Sequence, residues 1–191
     1  MWIWIVIVVV AGVGGFWVWR EYVQTYHLAT VHGGKLYRDG NRGRREFATM
    51  LRRVKPKTVI MLVDDQEIAD ARKPEFQAEI ELLNEQGIRL ERIAIPLGGW
   101  PTTETVTAFL SLVNNPDNQP AVVHCAQGVR RTGMLVAAYQ ESVLGYDDAR
   151  AKKEILRFGH SDRSIGDVKR FIDTYDPSTK TVRETLPMSK E

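Results

Sequence analysis

An α/β fold built on a central, mostly parallel sheet of four to five strands flanked by helices is predicted by three observations. Short apolar runs alternate along the chain with segments whose apolar residues recur at helical spacing. The run Thr58 to Val63 is continuously apolar or β-branched between Pro56 and Asp64-Asp65, as expected of a strand covered on both faces. Glycines such as Gly87 and Gly145 stand where the helical patterns stop.

Residues 1–19 carry no charged side chain, and their length matches the roughly 20 residues of a spanning helix. Trp2, Trp4, Trp17 and Trp19 cluster at the two ends, where indoles favour a membrane interface. The reading is a transmembrane anchor over residues 1–19. A cleaved signal peptide fits less well, because there is no basic stretch before the apolar run. Arg20 and the basic residues from Lys35 to Arg45 place the following domain on the cytoplasmic side of a single-pass membrane protein. Residues 20–33 form a connector, and the globular domain is expected over 34–175.

Within it, Lys35 to Arg38 reads as a first strand before the turn Asp39-Gly40-Asn41. Arg42 to Val54 has a helical stripe of Phe47, Met50, Leu51 and Val54. After the Thr58 to Val63 strand, Pro74 to Gln86 is a helix with Phe76, Ile80 and Leu83 on one face, and Ile88 to Ile95 returns to strand. Pro96 to Pro101 is a loop, Thr102 to Val113 a helix, Ala121 to His124 a short buried strand, and Arg131 to Leu144 a helix. Asp147 to Phe158 and Ile165 to Tyr175 supply two more. Residues 176–191 are polar with little periodicity and read as a loose tail.

The chain has 191 residues, 26 basic and 24 acidic side chains and a net charge of +2, so nothing global argues for nucleic acid as a partner. A single cysteine excludes an intramolecular disulfide framework and any multi-cysteine metal site. His27, His32 and His160 lack ligand spacing, so no metal is assigned.

That cysteine, Cys125, follows the buried strand and lies in the stretch His124-Cys125-Ala126-Gln127-Gly128-Val129-Arg130-Arg131-Thr132-Gly133. Between a strand and a helix N-terminus, the backbone N–H groups of residues 126–131 form a concavity suited to an anion. The same groups stabilise a thiolate, lowering its pKa from about 8.5 toward neutrality. Arg131 offers a planar fork for two phosphoryl oxygens, and lysine has no such geometry. Thr132 places a hydroxyl near the sulfur. His124 either tunes the thiolate or is structural, and Arg130 either meets substrate or is solvated.

His124-Cys125, five residues, then Arg131-Thr132-Gly133 with Gly128 inside resembles the phosphate-binding loop of cysteine-dependent protein tyrosine and dual-specificity phosphatases. The likeness runs over about residues 34–175, including Tyr37-Arg38, Thr58 to Leu62 and Ile95-Pro96, and is similar to the compact, atypical dual-specificity branch of plant and fungal type. It implies the cysteine-phosphatase fold, a phosphocysteine intermediate at Cys125, phosphate binding by Arg131 and the loop residues Ala126, Gln127, Gly128, Val129 and Arg130, and assistance from Thr132 and His124. No metal or organic cofactor is required.

Many such enzymes carry an aspartic acid in the loop after the strand equivalent to Ile88 to Ile95. Here that loop holds Gly98 and Gly99, and the candidates for general acid are Glu104, Asp65 (or its neighbour Asp64) and Asp162. A missing acid favours good leaving groups, aryl phosphates or phosphoanhydrides. The expected substrate is phosphotyrosine on a protein. The alternatives are a phosphoinositide or inositol pyrophosphate, or a phosphate-binding module without catalysis.

Overall fold

The computed structural model describes residues 12, 14–16, 27–41, 43–159 and 162–183. Five strands form one sheet in the order β1-β2-β5-β3-β4. They are β1 (Ala29–His32), β2 (Leu36–Gly40), β3 (Thr58–Met61), β4 (Arg89–Arg92) and β5 (Ala121–Cys125). β2, β5, β3 and β4 pair in parallel, whereas β1 turns back antiparallel along the β2 edge. The sheet is therefore mixed, and its edge strand lies before the expected start of the domain. The turn from His32 to Lys35 suffices for a hairpin and is too short for the crossover that a parallel neighbour needs.

The helices are α1 (Arg44–Val54), α2 (Asp65–Ala69), α3 (Pro74–Gln86), α4 (Thr103–Asn114), α5 (Arg130–Leu144), α6 (Asp148–Ile155) and α7 (Asp162–Thr174). Local chemistry sets their ends. The side chains of Asp64, Thr102 and Asp147 accept from the backbone N–H groups of Glu67, Thr105 and Arg150 and so begin α2, α4 and α6. Pro74 opens α3, and Gly87 closes it in the left-handed conformation.

Side-chain alternation along the strands distributes the core to two faces. Val123 and Cys125 join Ile60, Leu62 and Leu36 on the face packed by α4, α5, α6 and α7. Val122 and Val59 meet Phe47, Met50, Leu51 and Leu83 of α1 and α3 on the other. Because both faces are covered, all five residues of β5 are buried, which explains the apolar run Ala121 to Val123. The parity has a consequence for the site: His124 points to the α1/α3 side, 5.6 Å from the Phe47 ring centroid, and Cys125 to the other.

The membrane-spanning helix and the membrane localisation expected from residues 1–19 are corrected: among the described residues no helix is long and apolar enough to cross a membrane. Of that segment Gly12 and Gly14 to Phe16 are described, in helical conformation; the rest of the expected anchor lies outside the described residues, as do residues 184–191 of the expected tail. Within residues 175–182, Tyr175–Asp176 (β6) pairs antiparallel with Thr181–Val182 (β7). The Val182 N–H donates to Thr103 Oγ1 at 3.0 Å, fastening this hairpin to α4.

Candidate active site

The parallel strands end together, with Gly40 beside Cys125 and Met61 beside His124, so residues 126–129 leave the sheet at its C-terminal edge. Three carbonyls of this loop are each held from outside. Asn41 N–H donates to Ala126 O at 2.9 Å, His27 Nδ1 to Gln127 O at 2.7 Å, and Arg38 Nη2 to Gly128 O at 2.6 Å. In a trans peptide the N–H points opposite the carbonyl, so fixing three carbonyls outward aims the N–H groups of Gln127, Gly128 and Val129 inward. One of them is seen at work: Gly128 N–H lies 3.3 Å from Cys125 Sγ. The expected anion concavity is thus a consequence of three donors that lie outside the loop itself.

Burial pushes the Cys125 thiol up, but the Arg131 charge, the Thr132 hydroxyl and the N–H groups of Thr132 and Gly128 outweigh it, and the net shift is downward. Thr132 Oγ1 is buried and makes no protein hydrogen bond of good geometry, yet lies near enough to favour the thiolate.

Arg131 is gripped by its neighbours in the fold. Its Nη2 donates to Glu67 Oε1 at 3.1 Å, its Nη1 to Glu67 Oε2, and Nη1 also reaches the Ile95 carbonyl at 3.0 Å. Burial disfavours charge on both partners. Their contact prevails, holding Glu67 below and Arg131 above the ordinary range. A guanidinium fixed along one edge by a carboxylate presents its remaining N–H groups in a set direction, the preorganisation that phosphoryl transfer rewards.

Under the loop lies a second polar cluster. His124 Nε2 is 2.6 Å from Glu79 Oε1, both fully buried, and Asn41 Nδ2 donates to Glu79 Oε2 at 2.5 Å. Burial pulls the His124 pKa down, but Glu79, followed by Asp39 and Cys125, raises it overall, so the imidazolium is favoured. Burial pushes the neighbouring Asp39 carboxyl up to about 8. A carboxyl whose folded pKa exceeds its unfolded value gives stability that is complete below the unfolded pKa and is lost as pH rises through the folded one. Stability is therefore expected to fall between pH 4 and pH 8, and Asp39→Asn to flatten that slope in thermal melts; an unchanged slope would show Asp39 ionised throughout.

The other predicted residues fall as follows. Arg130 is not solvated: its Nε donates to Asp167 at 2.5 Å and its Nη1 and Nη2 to the carbonyls of Gly99 and Gly98 at 2.8 Å each, tying the 96–101 loop to α7. Val129 immediately precedes α5. Glu104 is exposed in the first turn of α4, where the Thr102 hydroxyl lowers its pKa. Asp65 is exposed and pairs with Arg92 at 2.7 Å. Asp64 caps α2 and accepts from Leu97 N–H at 3.1 Å, which hold its pKa down. Asp162 opens α7, and its side chain lies outside the described residues. The structure brings Cys125, Arg131, Thr132 and the loop together and gives Glu104 and Asp65 other partners.

Sequence reasoning missed Glu67, Glu79, Asn41 and His27. Asp64 followed three residues later by Glu67 is a helix-start pattern, the one signal available for Glu67, but it predicts a capping role. The backbone of Glu67 is capped as that pattern says, and its side chain goes to Arg131.

A family model described as "DSP-PTPase phosphatase fused to NAD+ Kinase" matches residues 28–172, well over half the chain. The chain belongs to this phosphatase family. The phosphatase is 26% identical over 147 residues to the inositol diphosphatase SIW14 of Saccharomyces cerevisiae, covering 75% of this chain and 49% of the yeast protein, so it spans about half the length of that curated relative. Its fold matches the core catalytic domain of PP-IP phosphatase SIW14 from S. cerevisiae in complex with citrate, with TM-score 0.66 and 24% identity over 80% of this chain and 87% of that one. It also matches P. aeruginosa TpbA in complex with pTyr, with TM-score 0.61 and 21% identity over 81% and 88% of the two chains. At these identities the two structures speak to the fold alone.

Proposed function

We propose that this phosphatase cleaves the phosphoanhydride of an inositol pyrophosphate through a phosphocysteine on Cys125. The single observation carrying the chemistry is a buried sulfur with lowered pKa, contacted by the Gly128 N–H and followed by an arginine locked on Glu67. Cys125 Sγ attacks the terminal phosphorus, the bond from phosphorus to the bridging oxygen breaks, and the inositol phosphate departs with that oxygen. The loop N–H groups and Arg131 take up the charge on the transferred oxygens. Water then attacks the phosphocysteine, releasing inorganic phosphate and restoring the thiolate. Thr132 is placed to steady the departing sulfur.

Two observations support the anhydride over the phosphotyrosine expected from sequence. The curated relative is an inositol diphosphatase, aligned over 147 residues. The leaving group is a phosphate, whose second pKa is about 6 against about 10 for a phenol, so it departs without a proton donor. That suits a 96–101 loop whose Gly98 and Gly99 carbonyls are committed to Arg130 and which offers no acid. The test is a panel at equal concentration: a diphosphoinositol polyphosphate, a phosphotyrosine peptide and a phosphoinositide, with phosphate release by the full chain as readout. The diphosphoinositol substrate is expected to turn over fastest. A faster phosphotyrosine peptide would reject the substrate assignment, and no turnover of any would leave a binding module.

A further inference from the structure

Two consecutive arginines grip the loop that leads from β4 to α4. Arg131 Nη1 takes the Ile95 carbonyl at 3.0 Å, where the loop begins. Arg130 Nη1 and Nη2 take the Gly99 and Gly98 carbonyls at 2.8 Å each, at its middle. β4 lies parallel to β3 and β3 to β5, so this loop leaves the same edge of the sheet as the phosphate loop and stands beside its mouth.

Arg130 is itself held from behind. Its Nε donates to Asp167 Oδ2 at 2.5 Å, and Asp167, 3% exposed, takes Arg170 on its other oxygen. A carboxylate fixed on α7 thus aims the outer edge of the guanidinium at the loop. The flanks of the loop are fastened as well. Leu97 N–H donates to Asp64 Oδ2 at 3.1 Å, and the Trp100 ring centroid lies 6.2 Å from that of Phe171 on α7.

Adjacent carbonyls of an extended chain point to opposite sides, so two that meet one guanidinium need a sharp turn. Gly98 supplies it with φ of +80°, and Gly99 N–H closes the turn on the Pro96 carbonyl at 2.7 Å. A Cβ at Gly99 would lie 2.9 Å from that same carbonyl oxygen. The two glycines that stand where a proton donor was sought are therefore the two that this grip requires, and an aspartate at position 99 does not fit the loop as it is held.

We propose that Arg130 is a positioning residue that fixes the 96–101 loop as a wall beside the phosphate loop, and that this wall orders the group from which the phosphoryl is cleaved. The phosphoryl itself is met by the loop N–H groups and Arg131. A small leaving group ends near them, whereas an inositol polyphosphate reaches past them to the wall. That choice of large substrate rests on the inositol pyrophosphate reading above. The competing role for Arg130 is a plain cation for the outer phosphates of the substrate. Lysine separates the two, because it keeps the charge but is a point donor that cannot span two carbonyls and a carboxylate at once.

The experiment compares the full native chain with Arg130→Lys and Arg130→Gln. KM and kcat are measured on a diphosphoinositol polyphosphate and on p-nitrophenyl phosphate, and hydrogen exchange is followed at the Leu97 and Gly99 amides. Both variants are expected to raise KM for the inositol substrate about fivefold, the equivalent of about one net hydrogen bond, and to raise it clearly less for the aryl phosphate. Exchange at both amides is expected to quicken. Native KM in Arg130→Lys would make Arg130 a charge for the substrate and overturn the proposal. A parallel rise on both substrates would reduce the grip to a structural one, and unchanged exchange would show that the loop does not depend on it; either result overturns the proposal too. If the native chain does not turn over the diphosphoinositol compound, the substrate reading fails separately, and a phosphotyrosine peptide takes its place as the large substrate with the same outcomes for Arg130.

Discussion

Cys125→Ser in the full chain is expected to keep the fold and to lower kcat on the order of 10⁴-fold or more, the scale on which removal of an attacking atom is felt in covalent catalysis. The substitution changes one atom, at a residue 3% exposed and packed against Leu62, Ile95 and α5, so stability should hardly move. What is lost is ionisation. The Arg131 charge, the Thr132 hydroxyl and the Gly128 N–H lower the pKa of a thiol, which begins at about 8.5. A serine hydroxyl begins far above it, and the same groups cannot bring it within reach. The loop donors and Arg131 remain, so the variant should still bind phosphate with an affinity near that of the native chain. The check is phosphate release measured beside phosphate binding. Residual turnover within tenfold of native would point to another attacking group and remove Cys125 from the mechanism.

That separation between a sulfur and its setting also marks what was legible in the sequence. Local signals read well: α3 occupies Pro74–Gln86 as expected, because Pro74, an apolar stripe and Gly87 lie within one stretch of chain. The turn from Cys125 into α5 was legible for the same reason, its residues being contiguous. The grip on Arg131 was not, since Glu67 lies 64 positions away and meets it only once β3 and β5 pair. Nor was the reversal of carbonyls in the loop, which depends on His27, Arg38 and Asn41 around the β2 edge. Arg130 was left open between substrate and solvent, and is instead a tie between the 96–101 loop and α7, a role with no local signature. The antiparallel β1 was hidden because a four-residue, half-buried edge strand carries too little alternation to register.

Gly128→Ala is expected to lower both activity and stability, and the two effects have separable causes. Gly128 has φ of +68°, a conformation that costs an alanine about 1–2 kcal/mol. A Cβ built there would meet the Asp39 carbonyl oxygen at 2.3 Å, its carbon at 2.7 Å and the Gly40 nitrogen at 2.8 Å. These are backbone atoms of β2, paired in register with His124 and Cys125 of β5, so the strand cannot step aside without breaking the sheet beside the sulfur. The loop must move instead. Its displacement lengthens the contact from Gly128 N–H to Cys125 Sγ and the bond from Arg38 to the Gly128 carbonyl together. A misplacement of about 1 Å in a preorganised site costs roughly 10²-fold in rate, so kcat should fall by at least that much, beyond what the drop in melting temperature accounts for. Gly33→Ala is the control, having neither a positive φ nor a neighbour within 4 Å, and should leave both unchanged. Native rates in Gly128→Ala would mean that the outward carbonyls of residues 126–128 do not set the anion site, and that Arg131 on Glu67 carries it alone.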